Sequence, residues 1–182
     1  MLKSLNFFAL MVFLVSGCQA TTAKIGLITT QDLAEVNSKL PLCSSGSLVK
    51  EWSNCVGSII AFNKRSKYIG EFVNGKKHGK GIYTSDKGSR YVGTWKNDQL
   101  NGFGTFQFWF GDKYTGEWKD DKFHGWGVWI KANKEKYVGG FKDGVKHGSG
   151  TETFTDGKVK DGLWANGQLV SEQDMILPLS SN

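Results

Sequence analysis

An aromatic-x-Gly-x-aromatic segment recurs along this chain at a constant spacing. It begins at Tyr68, Tyr91, Tyr114 and Tyr137, and neighbouring starts differ by 23 residues each time; a divergent copy follows at Lys160 after the same interval. A second segment, His-Gly-x-Gly or Asn-Gly-x-Gly, follows at a matching offset in four of the copies. Strict self-similarity at such a period is typical of repeat proteins, in which each unit packs against its neighbours. The sequence therefore predicts a row of equal units that offers an extended surface.

Each unit has the residue alternation of a β-hairpin. Along Tyr68–Phe72 the two rings and the central glycine share one face, because side chains alternate along a strand. Asn74-Gly75 follows, a turn dipeptide that tolerates positive φ, and similar pairs stand at the same offset in the other copies. Glycine weakens a strand by about 0.5–1 kcal/mol relative to alanine, so Gly79 and Gly81 need a reason. We expect rings from the neighbouring strand to lie flat over both glycines.

In this order, these elements resemble the MORN (membrane occupation and recognition nexus) repeat. The resemblance covers about residues 57–169, with departures at Asn101, at Asn133-Lys134 and at Lys160. It implies an all-β fold, an elongated single-layer antiparallel sheet of tandem 23-residue β-hairpins. The expected full units are 68–90, 91–113, 114–136 and 137–159, followed by a partial unit at 160–169.

The first 17 residues have the features of a signal peptide. Lys3 precedes the apolar run Phe7–Leu14, which is far shorter than the roughly 20 residues of a membrane-spanning helix. Val15–Cys18 resembles a bacterial lipobox, so Cys18 is the expected lipidation site; an ordinary secretory signal with a cysteine near its cleavage site is the alternative. Gln19 stands where an inner-membrane retention signal would have aspartate. The resemblance therefore implies a cell-envelope protein, on the outer membrane facing the periplasm where two membranes exist.

Two further cysteines lie before the repeats. In an oxidising compartment Cys43 and Cys55 are expected to form a disulfide, which would stabilise the chain by about 2–4 kcal/mol. Two free thiols are the alternative. A metal site is a less favoured interpretation, because no histidine lies near the two cysteines in the sequence. Residues 18–42 are predicted as a lipidated tether with a short helix near 31–39. An N-terminal cap (43–67) is predicted to contain a strand near 57–62. The C-terminal tail (170–182) is predicted to add a closing strand near 175–177.

The sequence favours no catalytic or metal site. His78, His124 and His147 share one repeat position, and equivalent residues of adjacent hairpins lie roughly 10 Å apart, too far to share one zinc ion. We expect each histidine to cap its own turn by hydrogen bonding. A nucleophile motif such as Gly-x-Ser-x-Gly is absent from the sequence. We expect a protein without enzymatic activity and without a cofactor.

Differences between the repeats indicate two candidate binding surfaces. The first is aromatic and the second is basic, and each has an ordinary structural alternative: rings that pack on one another or on the tail, and lysines that form solvated surface. The aromatic candidates are Phe103, Phe108, Trp109, Phe110 and Trp126, and the basic candidates are Lys76, Lys77, Lys80, Lys87 and Arg90.

The charge pattern restricts the partners. The formal net charge of +6 is mild and both signs are mixed along the repeats, unlike the dense basic stripe of a nucleic-acid binder. The lipobox resemblance implies attachment to the membrane through the acyl anchor, and we expect a protein or envelope partner held by the sheet. Binding of phospholipid headgroups is the alternative that the basic and aromatic residues leave open.

Overall fold

The repeats form one continuous sheet. The computed structural model describes the backbone of residues 24–25 and the residues 28–61 and 66–172. Cys18 and the strand predicted near 175–177 lie outside these residues. Within them the strands pair in sequence order, each antiparallel to the next. They are β1 (Lys24–Ile25), β2 (Cys55–Ile60), β3 (Lys67–Val73), β4 (Lys76–Thr84), β5 (Arg90–Lys96), β6 (Gln99–Gln107), β7 (Lys113–Lys119), β8 (Lys122–Ile130), β9 (Lys136–Lys142), β10 (Val145–Thr153), β11 (Val159–Ala165) and β12 (Gln168–Glu172). The all-β, single-layer antiparallel fold predicted from the sequence is confirmed.

Each of the four hairpins from β3–β4 to β9–β10 joins a seven-residue strand to a nine-residue strand through a two-residue turn. In the first hairpin Asn74 and Gly75 have φ of 50° and 72°, the left-handed pair of a type I′ turn. Asn97-Asp98 and Asp120-Asp121 adopt the same conformation without glycine. Each later turn also bonds to the preceding hairpin, as when the Asp98 N–H donates to the Lys77 carbonyl at 3.0 Å. The turns therefore fix the stacking of the units as well as their own shape.

Four buried tyrosines, Tyr68, Tyr91, Tyr114 and Tyr137, organise one face of the sheet, which we call the aromatic face. The Tyr114 ring lies across Gly116 of its own strand and Gly127 of the next, which are paired in register. Its hydroxyl reaches three residues along its strand and donates to the Glu117 carbonyl at 2.9 Å. The hydroxyls of the other three tyrosines make the equivalent bond at 3.0 to 3.2 Å. Paired glycines are therefore required because a ring occupies the space of their Cβ atoms.

The two glycines of the Gly-x-Gly segment have different roles, which corrects the sequence prediction. Gly81 lies beneath the Tyr68 ring, as expected. Gly79 instead forms a β-bulge with φ of 60°, at the point where the register between β3 and β4 shifts. The bulge requires glycine for its left-handed backbone, whereas Gly81 is required for space.

Edge-to-face ring contacts connect the units along the aromatic face. Tyr114 packs against Trp118 of its own strand, with ring centroids 5.1 Å apart, and against Phe141 of the next unit at the same centroid distance. The other tyrosines repeat both contacts at 5.1 to 5.5 Å. Each such pair contributes about 0.5–1.5 kcal/mol beyond burial. This zigzag of rings is the core of a sheet that has no second layer.

The segment before the repeats belongs to the folded body. Helix α1 (Thr30–Val36) ends where Asn37 turns left-handed, earlier than the predicted 31–39. It packs on β3 and β4, so residues 28–42 are not the tether expected from their polarity. The predicted disulfide is present between Cys43 and Cys55, with Cα atoms 4.9 Å apart, and Trp52 beside it packs edge-to-face on Phe72.

The far end of the array replaces aromatic residues with charges. Lys160 stands at the tyrosine position, and Glu152, almost fully buried, stands where β4 has Tyr83. Lys146 forms an ion pair with Glu152 while its Nζ lies 4.4 Å from the Trp164 ring centroid. Burial lowers the pKa of Lys146, and the bond to Glu152 opposes that shift. A buried ion pair thus occupies space that Leu100 and Phe106 fill at the equivalent positions of the second unit.

The glycine pair predicts a strong steric penalty. A Cβ at Gly116 would lie 2.6 Å from the Gly127 Cα and 2.7 Å from the Tyr114 Oη. We expect Gly116→Ala to lower the free energy of unfolding by about 2 kcal/mol, measured by urea denaturation. Gly46→Ala is the control, because no atom lies within 4 Å of its Cβ position, and its change should stay below about 1 kcal/mol. Equal effects at the two sites would contradict the packing explanation.

The buried ion pair predicts a non-additive double mutant. Lys146→Leu alone should destabilise by about 3 kcal/mol, because Glu152 keeps only Lys131, 3.8 Å away, among the described cations. Lys146→Leu combined with Glu152→Phe copies Leu100 and Phe106, and should restore or exceed the original stability. Urea unfolding of the two single variants and the double variant measures the coupling. A double variant no more stable than Lys146→Leu would refute this account.

Candidate functional site

The face opposite the tyrosines carries α1, and we call it the helix face. Val36 of α1 is buried together with Ile69 and Ile82 of the sheet, and Ile28 and Val92 pack around them. This contact covers the sheet at β3 and β4 and reaches Val92 on β5. The helix face is therefore apolar at its N-terminal end because a helix occupies it.

Charged and polar contacts fix the orientation of α1. Thr29 caps the helix, with its Oγ1 accepting from the Asp32 N–H while Asp32 accepts from the Thr29 N–H at 2.9 Å. Asp32 also pairs with Lys67 at 3.4 Å, and Glu35 forms an ion pair with Arg90. Partial burial opposes ionisation of Asp32, but the Thr29 bonds and the charge of Lys67 outweigh it and lower the carboxyl pKa.

The five basic candidates are distributed over both faces. Lys80 donates to the Asn37 carbonyl at the end of α1, at 2.7 Å, and Arg90 is paired with the same helix. Lys77 lies on the aromatic face, with its Nζ 4.5 Å from the Trp95 ring centroid. Burial at this position lowers the pKa of Lys77. Lys87 lies 5.6 Å from the Trp109 ring centroid, and Lys76 is exposed. The structure does not bring these cations together into one surface.

The five aromatic candidates form two separate groups. Phe103 and Trp126 lie on the helix face beyond α1, with 62% and 55% of their surface exposed. Glu117 of β7 lies between them, in register with Phe103 and accepting from the Trp126 N–H at 3.1 Å. These two rings project from rigid strands and have no ring partner among the described residues.

The second group lies on the connection between β6 and β7. Phe108 is half-buried and packs on Phe106, with ring centroids 4.4 Å apart, so for this ring the packing alternative holds. Trp109 and Phe110 are mostly exposed and contact each other edge-to-face. We call Trp109, Phe110 and the nearby Lys87 the turn patch. It lies at the ends of central strands, where β6 connects to β7 and β4 to β5, and is distinct from Phe103 and Trp126.

A shallow groove runs between α1 and the sheet. It encloses about 170 Å³ and is lined by Glu35, Val36, Lys80, Val92 and Thr94, with backbone of adjacent residues. Small-molecule sites usually measure about 300–1,000 Å³. The groove is therefore best described as the unfilled edge of the contact between α1 and the sheet.

The histidines lie far from any shared centre. The Nδ1 atoms of His78 and His124 are buried without a hydrogen-bond partner among the described residues, so the expected turn caps are not formed through these atoms. Within the same residues, no group of three His, Cys, Asp or Glu side chains is arranged to hold a metal ion. No helix in the described ranges has the length and hydropathy to cross a bilayer.

Taken together, the tyrosine ladder, the type I′ turns and the bulge glycines define a single-layer β-hairpin repeat protein. Comparison with known families gives the particular class: the MORN repeat profile matches residues 68–90, 91–108, 114–135 and 137–159. The chain belongs to the MORN repeat family, as its sequence predicts. Repeats of this family are modules for protein or membrane interaction. No curated protein matches the chain.

Docking of α1 was the part of the site that sequence reasoning missed. One signal was available, because Ile69, Ile82 and Val92 form an unbroken aliphatic run, whereas Thr105 and Thr115 follow them in the same row. An unbroken aliphatic run in a row that would otherwise face solvent indicates a covering element. Its identity as α1 depends on a contact between residues more than 30 positions apart, which periodicity does not reveal.

The contact of Asp32 predicts acid-dependent release of α1. Because its folded pKa is lowered, the stabilisation is complete above the unfolded carboxyl pKa of about 3.9 and is lost as pH falls through the lower folded value. We expect amide exchange at Leu33 and Val36 to accelerate in that range before exchange in β7 does. In Asp32→Asn the release should lose most of its pH dependence, and an unchanged profile would contradict the assignment.

Proposed function

We propose that this chain is a non-enzymatic, lipid-anchored interaction module that holds a protein partner at the cell envelope. Cys18 would carry the acyl chain, and the outer membrane facing the periplasm is the proposed location. The exposure of Phe103 and Trp126 on the helix face is the observation that carries the proposal. Large rings on a rigid surface lose little conformational entropy on binding and are typical anchors of protein interfaces.

Rigidity of the sheet supports this function. The aromatic face is held by ring contacts and hydroxyl bonds, so the strands beneath Phe103 and Trp126 are fixed in register. Partner binding to such a surface needs no reorganisation of the backbone, which favours affinity. Thr105, beside Phe103, pairs by a side-chain hydrogen bond of 3.0 Å with Thr115 and offers a small, ordered neighbour.

A membrane-surface module that binds phospholipid headgroups is the second candidate. The turn patch favours it, since Trp109 and Phe110 are exposed in the connection between β6 and β7, next to Lys87. Tryptophan beside a cation is common at membrane interfaces, where the ring lies among headgroups. The two candidate functions thus use different residues, which allows a direct comparison.

Crosslinking in intact cells tests the protein-partner proposal. A photoreactive residue at Thr105 on the helix face should give a discrete crosslinked species. Phe103→Ala with Trp126→Ala should remove most of that species, whereas the matched pair Trp109→Ala with Phe110→Ala should preserve it. Equal yields from the two double variants would refute a partner site on the helix face.

Vesicle flotation tests the membrane alternative. With Cys18→Ser, the chain should stay in the dense fraction when mixed with vesicles of phosphatidylethanolamine and phosphatidylglycerol, because the acyl anchor is absent. Flotation of this variant that Trp109→Ala and Phe110→Ala abolish would instead establish headgroup binding through the turn patch. Fractionation of cells expressing the Cys18→Ser chain tests the anchor itself, and membrane recovery equal to the unmodified chain would refute it.

A further inference from the structure

The helix face continues past α1 with the same design. Ile82 of β4 pairs in register with Val92 of β5, at the edge of the region that α1 covers. The same row then passes through Thr105 and Thr115 to Val128 and Val138, also paired in register. These later residues have no helix above them in the described part of the chain. The sheet therefore repeats the surface that α1 occupies, two units further along.

A row of cations follows the same repeat. Lys67, Arg90, Lys113 and Lys136 stand at 23-residue intervals. Lys67 and Arg90 hold Asp32 and Glu35 of α1, which lie three residues apart on the helix. Lys113 and Lys136 are exposed and form no ion pair with any described residue. Within each pair, Lys67 with Arg90 and Lys113 with Lys136, the two cations lie two strand spacings apart, about 10 Å. Carboxylates spaced like Asp32 and Glu35 therefore fit either pair.

Beside the aliphatic row and the row of cations, the helix face has a third row of side chains, at the position of Lys80. This row differs between the strands that α1 covers and those that it leaves uncovered. Lys80 bonds to the carbonyl end of α1, and the residues at its position in the next units are Phe103 and Trp126. Glu117 lies between those rings on the same face. The uncovered surface thus has cations along one side, aliphatic and threonine side chains in the middle, and rings with one carboxylate along the other side.

We propose that the helix face over β6–β9 binds an amphipathic helix of a partner protein, oriented by carboxylates that pair with Lys113 and Lys136. The partner helix carries acidic residues three positions apart, an aliphatic stripe over Val128 and Val138, and a polar or basic side toward Glu117. The contact of α1 with β3–β5 is the internal precedent for this geometry. This inference rests on the proposed function and adds the chemistry of the partner to it.

A helical peptide tests the proposal on the full chain carrying Cys18→Ser. The probe is a synthetic peptide with two copies of the α1 sequence (residues 30–36), held helical by a side-chain bridge on its exposed side. We expect saturable binding that shifts the methyl resonances of Val128 and Val138 and weakens as salt is raised. Shifts confined to Ile69 and Ile82 would mean that the peptide merely displaces α1, and would overturn the proposal, as would no saturable binding.

Charge reversal tests the orientation. Lys113→Glu with Lys136→Glu should raise the Kd of the peptide about tenfold, because two ion pairs become repulsive. A peptide with lysine in place of each Asp and Glu should bind this variant better than it binds the original chain. The control variant Lys134→Glu with Lys158→Glu, which changes the same charge in exposed connecting turns, should bind like the original. Equal Kd values for both double variants would overturn the proposal.

Other occupants of the surface give different results. A second copy of the chain would appear as a dimer in sedimentation velocity that the Lys113→Glu and Lys136→Glu changes dissociate. A segment after Glu172 would shield Trp126 from acrylamide quenching until that segment is deleted. Either result would overturn the proposal that a partner helix occupies this surface. If the peptide fails while the Phe103- and Trp126-dependent crosslink persists, this inference falls and the proposed function stands; loss of that dependence removes both.

Discussion

The contact on which this structure depends is a tyrosine ring lying across two glycines of adjacent strands. A single-layer sheet has no facing layer to bury its side chains, so it must obtain a core from rings that lie flat on its own backbone. The ring can do so only where neither strand has a Cβ, as at Gly116 and Gly127 beneath Tyr114. The hydroxyl is satisfied by the Glu117 carbonyl, which removes the cost of burying it. The paired glycines recur in every full unit because this contact is repeated.

The ends of the array require different solutions because a terminal ring has a neighbour on one side. At the N-terminal end Trp52 packs on Phe72, and the Cys43–Cys55 bridge holds the segment that carries it. At the other end, Lys146 lies over Tyr137 and Trp164 and pairs with Glu152. Leu100 and Phe123 fill the Lys146 position in the middle of the array. The chain thus keeps apolar contacts where units stack on both sides and places charge where the ladder ends.

The hairpins, turns and sheet type could be predicted from the sequence because each depends on residues within one 23-residue unit. Asn74-Gly75 determines its turn locally, and the tyrosine and glycine positions recur too regularly for another fold. The docking of α1 was missed because it depends on Val36 meeting Ile69 and Ile82 across more than 30 residues. The grouping of the basic candidates into one surface fails for a different, local reason. Lys77 and Lys80 are close in sequence, but strand alternation places one over Trp95 and the other at the end of α1.

The two faces of the sheet differ in what they can contribute to recognition. On the aromatic face the tyrosines and glycines of the full units are fixed by the ladder, since changing one of them removes a contact that forms the core. On the helix face the position of Lys80 is occupied by Phe103, Trp126 and Ser149 in successive units, with the strands unchanged. That position tolerates a cation, a ring or a hydroxyl because it projects away from the ladder. A repeat protein that must hold one particular partner can therefore place its specificity on the helix face, where residues can vary without loss of the sheet that presents them.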